Sequence, residues 1–359
     1  MSKKLRASIG VGFGGGSIER AVDYVVEAEK LGVHSVWAAE AWGSDAVTPL
    51  AFLAARTERI LLGTGIIQAG TRTPALVGMT AATMQMLSGG RFLLGLGTSG
   101  PQVIEGWHGL PFDKPVTRMR EVIEIARLVQ QGERVQYDGR VYTLPRPGGE
   151  GKPIRSSMGA TEPAPIYLAT LGPKSLEVTG EIADGWLGTS VMPEHAHIFF
   201  DRIRAGAERA GRDFSAIDLQ AGGVVAFSDD VERLYAARKP GLAFTLGAMG
   251  SRDHNFYNEA YQRQGYADLA LEVQRLWLDR RRDEAVALIP DDVAMKLNLL
   301  GTEDMVRDRI RTYRDAGVTT IRVDPEGDGL AGRLETLGRF MHVLDQVNAK
   351  LPAKGAEAS

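Results

Sequence analysis

The feature that constrains the fold most is a regular alternation of short apolar runs with helical patterns. The apolar runs predict strands at Ala7–Phe13, Ser35–Ala39, Ile60–Ile67, Phe92–Thr98, Pro165–Thr170, Gly185–Thr189, Leu219–Phe227 and Thr319–Val323. The helical patterns fall at Ser17–Leu31, Ala46–Thr57, Ala75–Leu87, Val116–Gln131, Lys174–Ala183, Glu194–Ala210, Thr302–Ala316 and Gly332–Ala349. Apolar strands separated by helices are typical of a parallel sheet. Eight such units favour an α/β fold closed as a (β/α)8 TIM barrel over an open doubly wound sheet.

Two long segments interrupt the alternation, at 132–163 after the fourth predicted strand and at 229–300 after the seventh. The first contains Asp138-Gly139, a pair typical of hairpin turns. The second is rich in Phe, Tyr and Met, which favours a helical segment over the barrel mouth. We therefore expect one TIM-barrel domain over 1–350 with these two insertions, followed by a flexible tail at 351–359.

The composition excludes several classes of function. The chain of 359 residues contains no cysteine, which removes disulfides, thiolate nucleophiles and cysteine-bound metals and permits a cytoplasmic location. A formal charge of −3 gives no indication of the basic surface that nucleic-acid-binding proteins carry. No apolar run reaches the roughly 18–20 residues of a membrane span, and the N-terminus does not resemble a signal peptide.

The third predicted strand contains two glycines near its end, Gly63 and Gly65, in the stretch ILLGTGIIQ. Glycine inside a strand indicates a bulge, a bend or the close approach of another group. Active sites of TIM barrels lie at the C-terminal ends of the strands, in the loops that lead into the helices. The interrupted strand therefore marks a candidate site.

Two glycine-rich turns at the same end of the barrel could bind an anion. Gly172-Pro173-Lys174-Ser175 places glycine, proline, lysine and serine at the start of a helix, where free N–H groups and the helix dipole favour phosphate. The turn Gly97–Gly100, with Thr98 and Ser99, offers hydroxyls and amides in the same way. Ordinary tight turns with helix capping remain the alternative for both.

Few side chains in these loops suit acid–base chemistry. Glu40 ends the second strand and could act as a general acid or base, or form an ion pair with Arg72. Glu105 and His108 lie together in the loop after the fourth strand and are further catalytic candidates. The pair His195 and His197 is spaced i, i+2 on a helix and points to different faces, so we expect no metal site.

The loops resemble those of a known family. The stretch from Gly32 to Gly109, with WAAEAWG, LLGTGIIQAGTRTP and LGTSG, is similar to the bacterial-luciferase-like superfamily, and within it to the oxidoreductases that use the deazaflavin coenzyme F420. The stretch LATLGPKSLEVTGEIADGW matches the phosphate loop of the same branch. The resemblance covers Ala7 to Thr189 and resumes at Gly301–Pro325. FMN-dependent monooxygenases share much of this pattern.

The resemblance implies a coenzyme ring that lies across the strand ends. It places a non-prolyl cis peptide, which supports the ring from behind, at Gly65–Ile66. The coenzyme-binding residues that it implies are Trp42, Gly65, Ile66, Ile67, Thr98, Ser99, Gly100, Gly172, Pro173, Lys174 and Thr189. Many members carry a histidine after the acidic residue, whereas this chain has Ala41. Proton transfer would then depend on Glu40, Glu105, His108 or water.

The function that the resemblance implies is hydride transfer between C5 of coenzyme F420 and a small organic substrate. The reaction would reduce an activated C=C or C=O bond, or oxidise an alcohol. One alternative is a monooxygenase that uses reduced FMN; another is a barrel that binds a flavin-like ligand without catalysis. Related proteins are commonly dimers, which makes a homodimer a candidate assembly.

Overall fold

The computed structural model describes residues 4–13, 18–250 and 255–349. The predicted helix start at Ser17 and the predicted tail at 351–359 lie outside them. The strands are β1 (Arg6–Val11), β2 (Ser35–Ala38), β3 (Leu61–Thr64), β4 (Ile67–Gln68), β5 (Phe92–Gly97), β6 (Tyr137–Asp138), β7 (Thr143–Leu144), β8 (Ile166–Ala169), β9 (Gly185–Leu187), β10 (Asp218–Phe227), β11 (Leu299–Gly301) and β12 (Thr320–Pro325).

The helices surround these strands and are mostly amphipathic. They are α1 (Ile18–Lys30), α2 (Val47–Ala54), α3 (Pro74–Ser88), α4 (Pro101–Ile104), α5 (Pro115–Gln130), α6 (Pro173–Ile182), α7 (His197–Arg209), α8 (Val231–Ala248), α9 (Phe256–Tyr261), α10 (Ala267–Leu278), α11 (Arg282–Ala287), α12 (Asp291–Lys296), α13 (Glu303–Asp315) and α14 (Gly329–Ala349). Short 3₁₀ turns occur at Pro193–His195 and Phe214–Ala216, and the chain kinks between α9 and α10 at Gly265, which has a left-handed φ of 91°. In the parts of the chain that the structure describes, no helix combines the length and apolarity needed to cross a membrane.

The parallel strands close into a barrel. Hydrogen bonding joins β1, β2, β3, β5, β8, β9, β10 and β12 in that order, and β12 pairs with β1. Ser8 of β1 lies opposite Ser35 of β2 on one side and Arg322 of β12 on the other. The predicted (β/α)8 TIM barrel is therefore confirmed.

A bulge interrupts the third barrel strand. Gly63 of β3 pairs with Leu93 of β5, and Ile67 of β4 pairs with Leu96 of β5. Between these two pairs the third strand moves on by four residues, from Gly63 to Ile67, whereas β5 moves on by three, from Leu93 to Leu96. The third strand therefore contains one extra residue, which forms the bulge. The sequence predicted one continuous strand over Ile60–Ile67; the extra residue splits it into β3 and β4.

The barrel interior is polar near the N-terminal ends of the strands. The buried carboxylate of Asp218 pairs with Arg6 at 2.6 Å. Its hydrogen-bond donors are Thr319 at 2.6 Å, Thr320 at 2.8 Å, Gln220 at 2.9 Å and Tyr167 at 3.0 Å. Burial alone would raise the pKa of Asp218, but the charge of Arg6 and these hydrogen bonds outweigh it and hold the pKa below its usual value.

Above this polar layer, an apolar cluster fills the centre of the barrel. It consists of Trp37, Leu93, Tyr167 and Leu187, with the rings of Trp37 and Tyr167 5.0 Å apart. The half-buried side chain of Ile66 packs on this cluster from the C-terminal side. Ile66 therefore forms part of the floor of the barrel mouth.

The first insertion contains the predicted hairpin. Strands β6 and β7 are antiparallel, and the amide of Gly139 donates to Tyr142 at 2.8 Å. The carboxylate of Glu121, from α5, accepts hydrogen bonds from the amides of Arg140, Val141 and Tyr142. This buried carboxylate anchors the hairpin to the barrel.

The second insertion is helical, as predicted, and runs from α8 to α12. It ends in β11, which pairs with β10 at Val225–Leu299 and was not predicted. The three-residue strand is too short to show a pattern of its own, and its pairing joins segments that are distant in sequence. A separate apolar core holds the insertion together, around Leu246, Tyr261 and Val273.

Candidate functional site

The bulge shapes the floor of the barrel mouth. The peptide bond Gly65–Ile66 is cis, which agrees with the prediction for this position. The side chain of Thr64 replaces strand pairing at the bulge: its hydroxyl donates to the carbonyl of Gly95 at 2.8 Å and accepts from the amide of Gly95 at 2.9 Å. Ile66 packs beside Gly97, where an added Cβ would lie 3.0 Å from its Cδ1. The bulge thus presents Ile66 to the mouth.

The group that approaches the two glycines of β3 and its bulge is Trp37. A Cβ at Gly63 would lie 2.3 Å from the indole ring, and one at Gly65 would lie 3.0 Å from the Trp37 Cβ. These glycines therefore make room for a tryptophan inside the barrel. The sequence alone could not distinguish this packing from the approach of a ligand.

The turn before α6 has the features of an anion site. Gly172 caps this ten-residue helix without a side-chain hydrogen bond. The backbone amides of Lys174 and Ser175 donate to no acceptor among the described residues. The exposed Lys174 likewise forms no ion pair within the described ranges. Free amides at a helix N-terminus beside a lysine suit a phosphate group.

An arginine from the second insertion also reaches this turn. Nη2 of Arg263 donates to the carbonyl of Leu171 at 2.9 Å, and Glu259 lies 3.8 Å from its Nη1. Burial lowers the pKa of Arg263, and Glu259 counters this effect. Sequence reasoning missed this residue, because the insertion carries no motif that assigns it to the turn.

The second glycine-rich turn lies next to the first, since β5 pairs with β8. Thr98, Ser99 and Gly100 are half-buried, and Ser99 has a left-handed φ of 57°. The Thr98 hydroxyl donates to the carbonyl of Ser99 at 3.3 Å. The helix that follows, α4, has only four residues, so its dipole is weaker than that of α6.

Glu40 forms the ion pair that the sequence offered as an alternative role. Both terminal nitrogens of Arg72 donate to its carboxylate, Nη2 to Oε2 at 2.9 Å, and the amide of Ala46 donates to Oε2 at 3.1 Å. The Glu40 side chain is 11% exposed. These donors occupy both oxygens of the carboxylate. Acid–base catalysis by Glu40 stays a prediction.

Gln68 lies at the end of β4 next to this pair. Its side-chain nitrogen donates to the carbonyls of Glu40 at 3.3 Å and Ala41 at 3.2 Å. Its Oε1 is buried and has no donor among the described residues. A buried acceptor of this kind is a candidate partner for a ligand N–H.

The other catalytic candidates lie on the surface. Glu105 and His108 are both exposed in the turn after α4, and Glu105 accepts from the amide of Phe112 at 3.2 Å. Trp42 is 61% exposed and Trp107 is 65% exposed. The structure therefore does not enclose these residues in a cavity, and their roles stay predictions.

The second insertion also contacts the loop after β9. Thr189 is half-buried, and the neighbouring Ser190 has a left-handed φ of 58°. Gln264 fixes this loop, because its Nε2 donates to the Ser190 carbonyl at 2.8 Å and its Oε1 accepts from the Met192 amide at 2.8 Å. The insertion thus borders the mouth at two loops.

Together these elements can hold a flat ring with an anionic chain. Ile66 offers an apolar floor, Gln68 offers a buried acceptor, and the turn at Gly172 offers amides and positive charge. Within the described residues, no group of three His, Cys, Asp or Glu side chains could hold a metal ion. The arrangement suits binding of an organic cofactor.

Comparison with known proteins assigns these features to a family. A family model described as luciferase-like monooxygenase matches residues 5–320. A protein of Mycobacterium tuberculosis, whose name places it provisionally among the coenzyme F420-dependent oxidoreductases, is 41% identical over 314 residues. The match covers 84% of this chain and 89% of that protein.

Solved structures share the fold. The coenzyme F420-dependent tetrahydromethanopterin reductase of Methanopyrus kandleri has a TM-score of 0.77 at 24% identity, covering 93% of this chain and 98% of that chain. The oxygenating component of 3,6-diketocamphane monooxygenase from Pseudomonas putida, solved with FMN, has a TM-score of 0.67 at 16% identity. That match covers 97% of this chain and 99% of the other.

Proposed function

The chain belongs to the luciferase-like monooxygenase family, and from this premise we propose that it is a coenzyme F420-dependent oxidoreductase. It transfers a hydride between the deazaflavin and a small organic substrate. The observation that carries the proposal is the 41% identity to a relative whose name gives this activity. A solved structure with the same fold binds FMN, so the residues of the site must support the choice of coenzyme.

The residues at the mouth fit a ring joined to a phosphate. The amides of Lys174 and Ser175, with the charges of Lys174 and Arg263, would hold the phosphate. Ile66 would support the ring, and the buried Oε1 of Gln68 would accept from a ring N–H. Each of these groups has a spare contact surface or an unused hydrogen bond.

Coenzyme F420, when bound, supplies a hydride donor or acceptor at C5 of its ring. The chain contributes position and environment. The bulge fixes Ile66 against the apolar cluster, and the insertion borders the mouth through Arg263 and Gln264. Positioning of this kind lowers the entropic cost of bringing two reactants together.

The proton that accompanies the hydride needs a separate carrier. Ala41 has no group for this role, and Glu40 already accepts from Arg72 and Ala46. We therefore assign Glu40 first to holding Arg72 and the loop after β2. Glu105, His108 and water remain candidate proton carriers in the proposal.

A hydride-transfer assay tests the proposal. Reduced F420 is mixed anaerobically with enones and ketones, oxidised F420 is mixed with alcohols, and the absorbance of the oxidised deazaflavin is followed. We expect turnover with at least one of these three classes of substrate, and we expect that turnover does not require oxygen. Oxygen-dependent turnover with reduced FMN, without F420 binding, would instead identify a flavin monooxygenase. Binding of F420 without any turnover would favour a non-catalytic binder.

The lysine of the phosphate turn gives a first prediction. Lys174→Ala removes a charge beside the free amides and should weaken F420 binding about fivefold, with a smaller dependence on salt. Lys30→Ala, on the outer helix α1, is the matched control and should bind F420 like the wild type. Fluorescence titration measures both. Equal affinity of the two variants for F420 would show that Lys174 does not contribute to the phosphate site.

We also propose that the chain forms a homodimer through α3. The exposed side chains on this helix are largely apolar: Leu76, Met79, Met86 and Leu87 are each 46–64% exposed. Phe52 on the neighbouring α2 is 42% exposed. An apolar patch of this kind on an outer helix marks an interaction surface.

A further inference from the structure

An arginine faces the inside of the barrel from the last barrel strand. Along β12, Ile321 and Val323 point outward into the core between the strands and helices, with 0% and 1% exposure. Arg322 lies between them, so its side chain points to the opposite face, the barrel interior. Thr320 shares that face, since its hydroxyl reaches Asp218 inside the barrel.

The guanidinium of Arg322 has no partner within the described residues. It forms no hydrogen bond or ion pair there, and the half-buried side chain keeps some access to solvent. The nearest acidic influence is Asp324, which instead pairs with Arg333 at 3.3 Å. Burial lowers the pKa of Arg322 from its usual value, and the group still carries its charge at neutral pH.

A tyrosine of the second insertion interacts electrostatically with this arginine. Tyr257 of α9 is half-buried, and its hydroxyl has no hydrogen-bond partner in the described part of the chain. Burial raises the pKa of Tyr257, and the charge of Arg322 opposes that rise. Arg322 and Tyr257 are therefore within electrostatic range of each other, and neither side chain donates a hydrogen bond to an acceptor among the described residues.

Open space lies on the same face, one residue layer nearer the C-terminal strand ends: Ser8 of β1 lies opposite Arg322, and Gly10 is the next residue of β1 on that face. Gly10 of β1 is exposed although its strand is paired on both sides, and β1 is the neighbour of β12. A Cβ built at Gly10 would meet no described atom within 4 Å. The strand order also places β12 across the barrel from β5, which precedes the second glycine-rich turn. Arg322 thus faces the mouth from the side opposite to that turn.

We propose that Arg322 and the hydroxyl of Tyr257 bind a carboxylate of the substrate. The guanidinium can donate two parallel hydrogen bonds to the two oxygens, and the phenol can donate a third. One cation matches a singly charged group better than a phosphate dianion. This inference rests on the proposed function, because it names the substrate class of that site: a small organic acid.

Two other roles for Arg322 make different predictions. As a structural counter-ion it would pair with an acidic side chain, but no carboxylate of the described residues lies within 4.0 Å. As a coenzyme ligand it would support F420 binding directly. Arg322 lies across the barrel from the turn after β5 and near the open space at Gly10. This position favours a role in binding the substrate over a role in binding the coenzyme.

Calorimetry of benzoate binding to the coenzyme-free protein tests the proposal, and benzamide serves as the uncharged analogue. We expect benzoate to bind the wild type, and Arg322→Met to weaken it at least about tenfold. Arg322→Lys should retain part of the affinity, and Tyr257→Phe should weaken it about threefold to tenfold. Arg275→Met, on the exposed face of α10, should behave like the wild type. Benzamide should bind wild type and Arg322→Met alike.

Two results would overturn the inference. One is benzoate binding that is absent in the wild type or equal in the wild type, Arg322→Met and Tyr257→Phe. The other is a loss of F420 affinity in Arg322→Met with no change for benzoate, which would make the arginine a coenzyme ligand. Tyr257→Phe and Arg322→Lys keep the test valid if Arg322→Met does not fold. Failure of the wild type to bind F420 would contradict the proposed function alone, since benzoate is measured without coenzyme.

Discussion

At the scale of single residues, the barrel mouth contains side chains that already have partners and side chains that do not. Glu40 is held by Arg72 and Ala46, whereas Gln68 Oε1 and the Arg322 guanidinium have no hydrogen-bond partner among the residues that the structure describes. A residue's type therefore does not decide its role. Its partners do, and they become visible only when the fold brings separate loops together.

Glu40→Gln tests whether the carboxylate acts mainly through Arg72. The substitution weakens a charged hydrogen-bonded pair, so we expect the free energy of unfolding to fall by about 1–2 kcal/mol. F420 turnover should fall less than about tenfold, because we assign Glu40 to holding Arg72 and not to proton transfer. A loss of about a hundredfold or more in kcat at unchanged stability would identify an acid or base instead.

Asp218→Asn tests how much the polar layer of the barrel contributes to the free energy of unfolding at different pH values. The pKa of Asp218 is lower in the folded than in the unfolded chain, so its ionised form stabilises the fold at neutral pH. That contribution is lost as the pH falls below about 4 towards the folded-state pKa. We expect the substitution to cost about 2–3 kcal/mol at pH 7 and less at pH 3.

Denaturant unfolding of the wild type and of Asp218→Asn at both pH values measures this difference. An equal or larger difference at acid pH would contradict the account. The interaction with Arg6 should change most, because the asparagine lacks the negative charge that pairs with Arg6 at 2.6 Å.

At the scale of elements, the bulge between β3 and β4 decides the shape of the mouth. Its position could be predicted in part, because Gly63 and Gly65 interrupt an apolar strand, and the family resemblance located the cis bond at Gly65–Ile66. The packing of Trp37 against these glycines could not be predicted, because it depends on the neighbouring strand. The helix start at Gly172–Pro173 was predictable from local residues alone, and anion binding there stays a prediction.

Gly95→Ala tests the close packing at the bulge. The added Cβ would lie 1.7 Å from the carbonyl oxygen of Thr64, a backbone atom that cannot move without the bulge. We expect destabilisation of about 3 kcal/mol or more. Gly10→Ala is the matched control, since its Cβ meets no described atom within 4 Å and should change stability by less than about 0.5 kcal/mol.

Thermal and denaturant unfolding compare the two glycine variants. Similar stability of Gly95→Ala and Gly10→Ala would show that the bulge is not packed as described. Gly10→Ala is read for stability only, because Gly10 borders the proposed carboxylate site.

At the scale of the whole molecule, the barrel could be predicted from the sequence. Each strand is a short apolar run, each helix shows apolar residues at helical spacing, and the two alternate along the chain. The second insertion was predicted as helical, but its contacts were not: Arg263, Gln264 and Tyr257 reach the mouth from one segment. Such contacts join residues that are distant in sequence and leave no local pattern. The insertion therefore supplies the part of the site that only the structure reveals.

The proposed homodimer is tested at the same scale. Met79 is 52% exposed on α3, and Met79→Asp places a charge in the apolar patch. We expect the wild type to have twice the mass of one chain by light scattering, and the variant to have the mass of a single chain. Leu278→Asp, at a leucine that is 50% exposed on α10, should leave the mass unchanged. A monomeric wild type would contradict the proposal.

The position of the coenzyme decides the roles proposed for the residues of the mouth, and a crystal structure with F420 bound tests that position most directly. We predict that the phosphate accepts hydrogen bonds from the amides of Lys174 and Ser175 and that the ring packs against Ile66. A phosphate bound away from the turn at Gly172, or a ring that does not contact Ile66, would contradict the site described for this barrel.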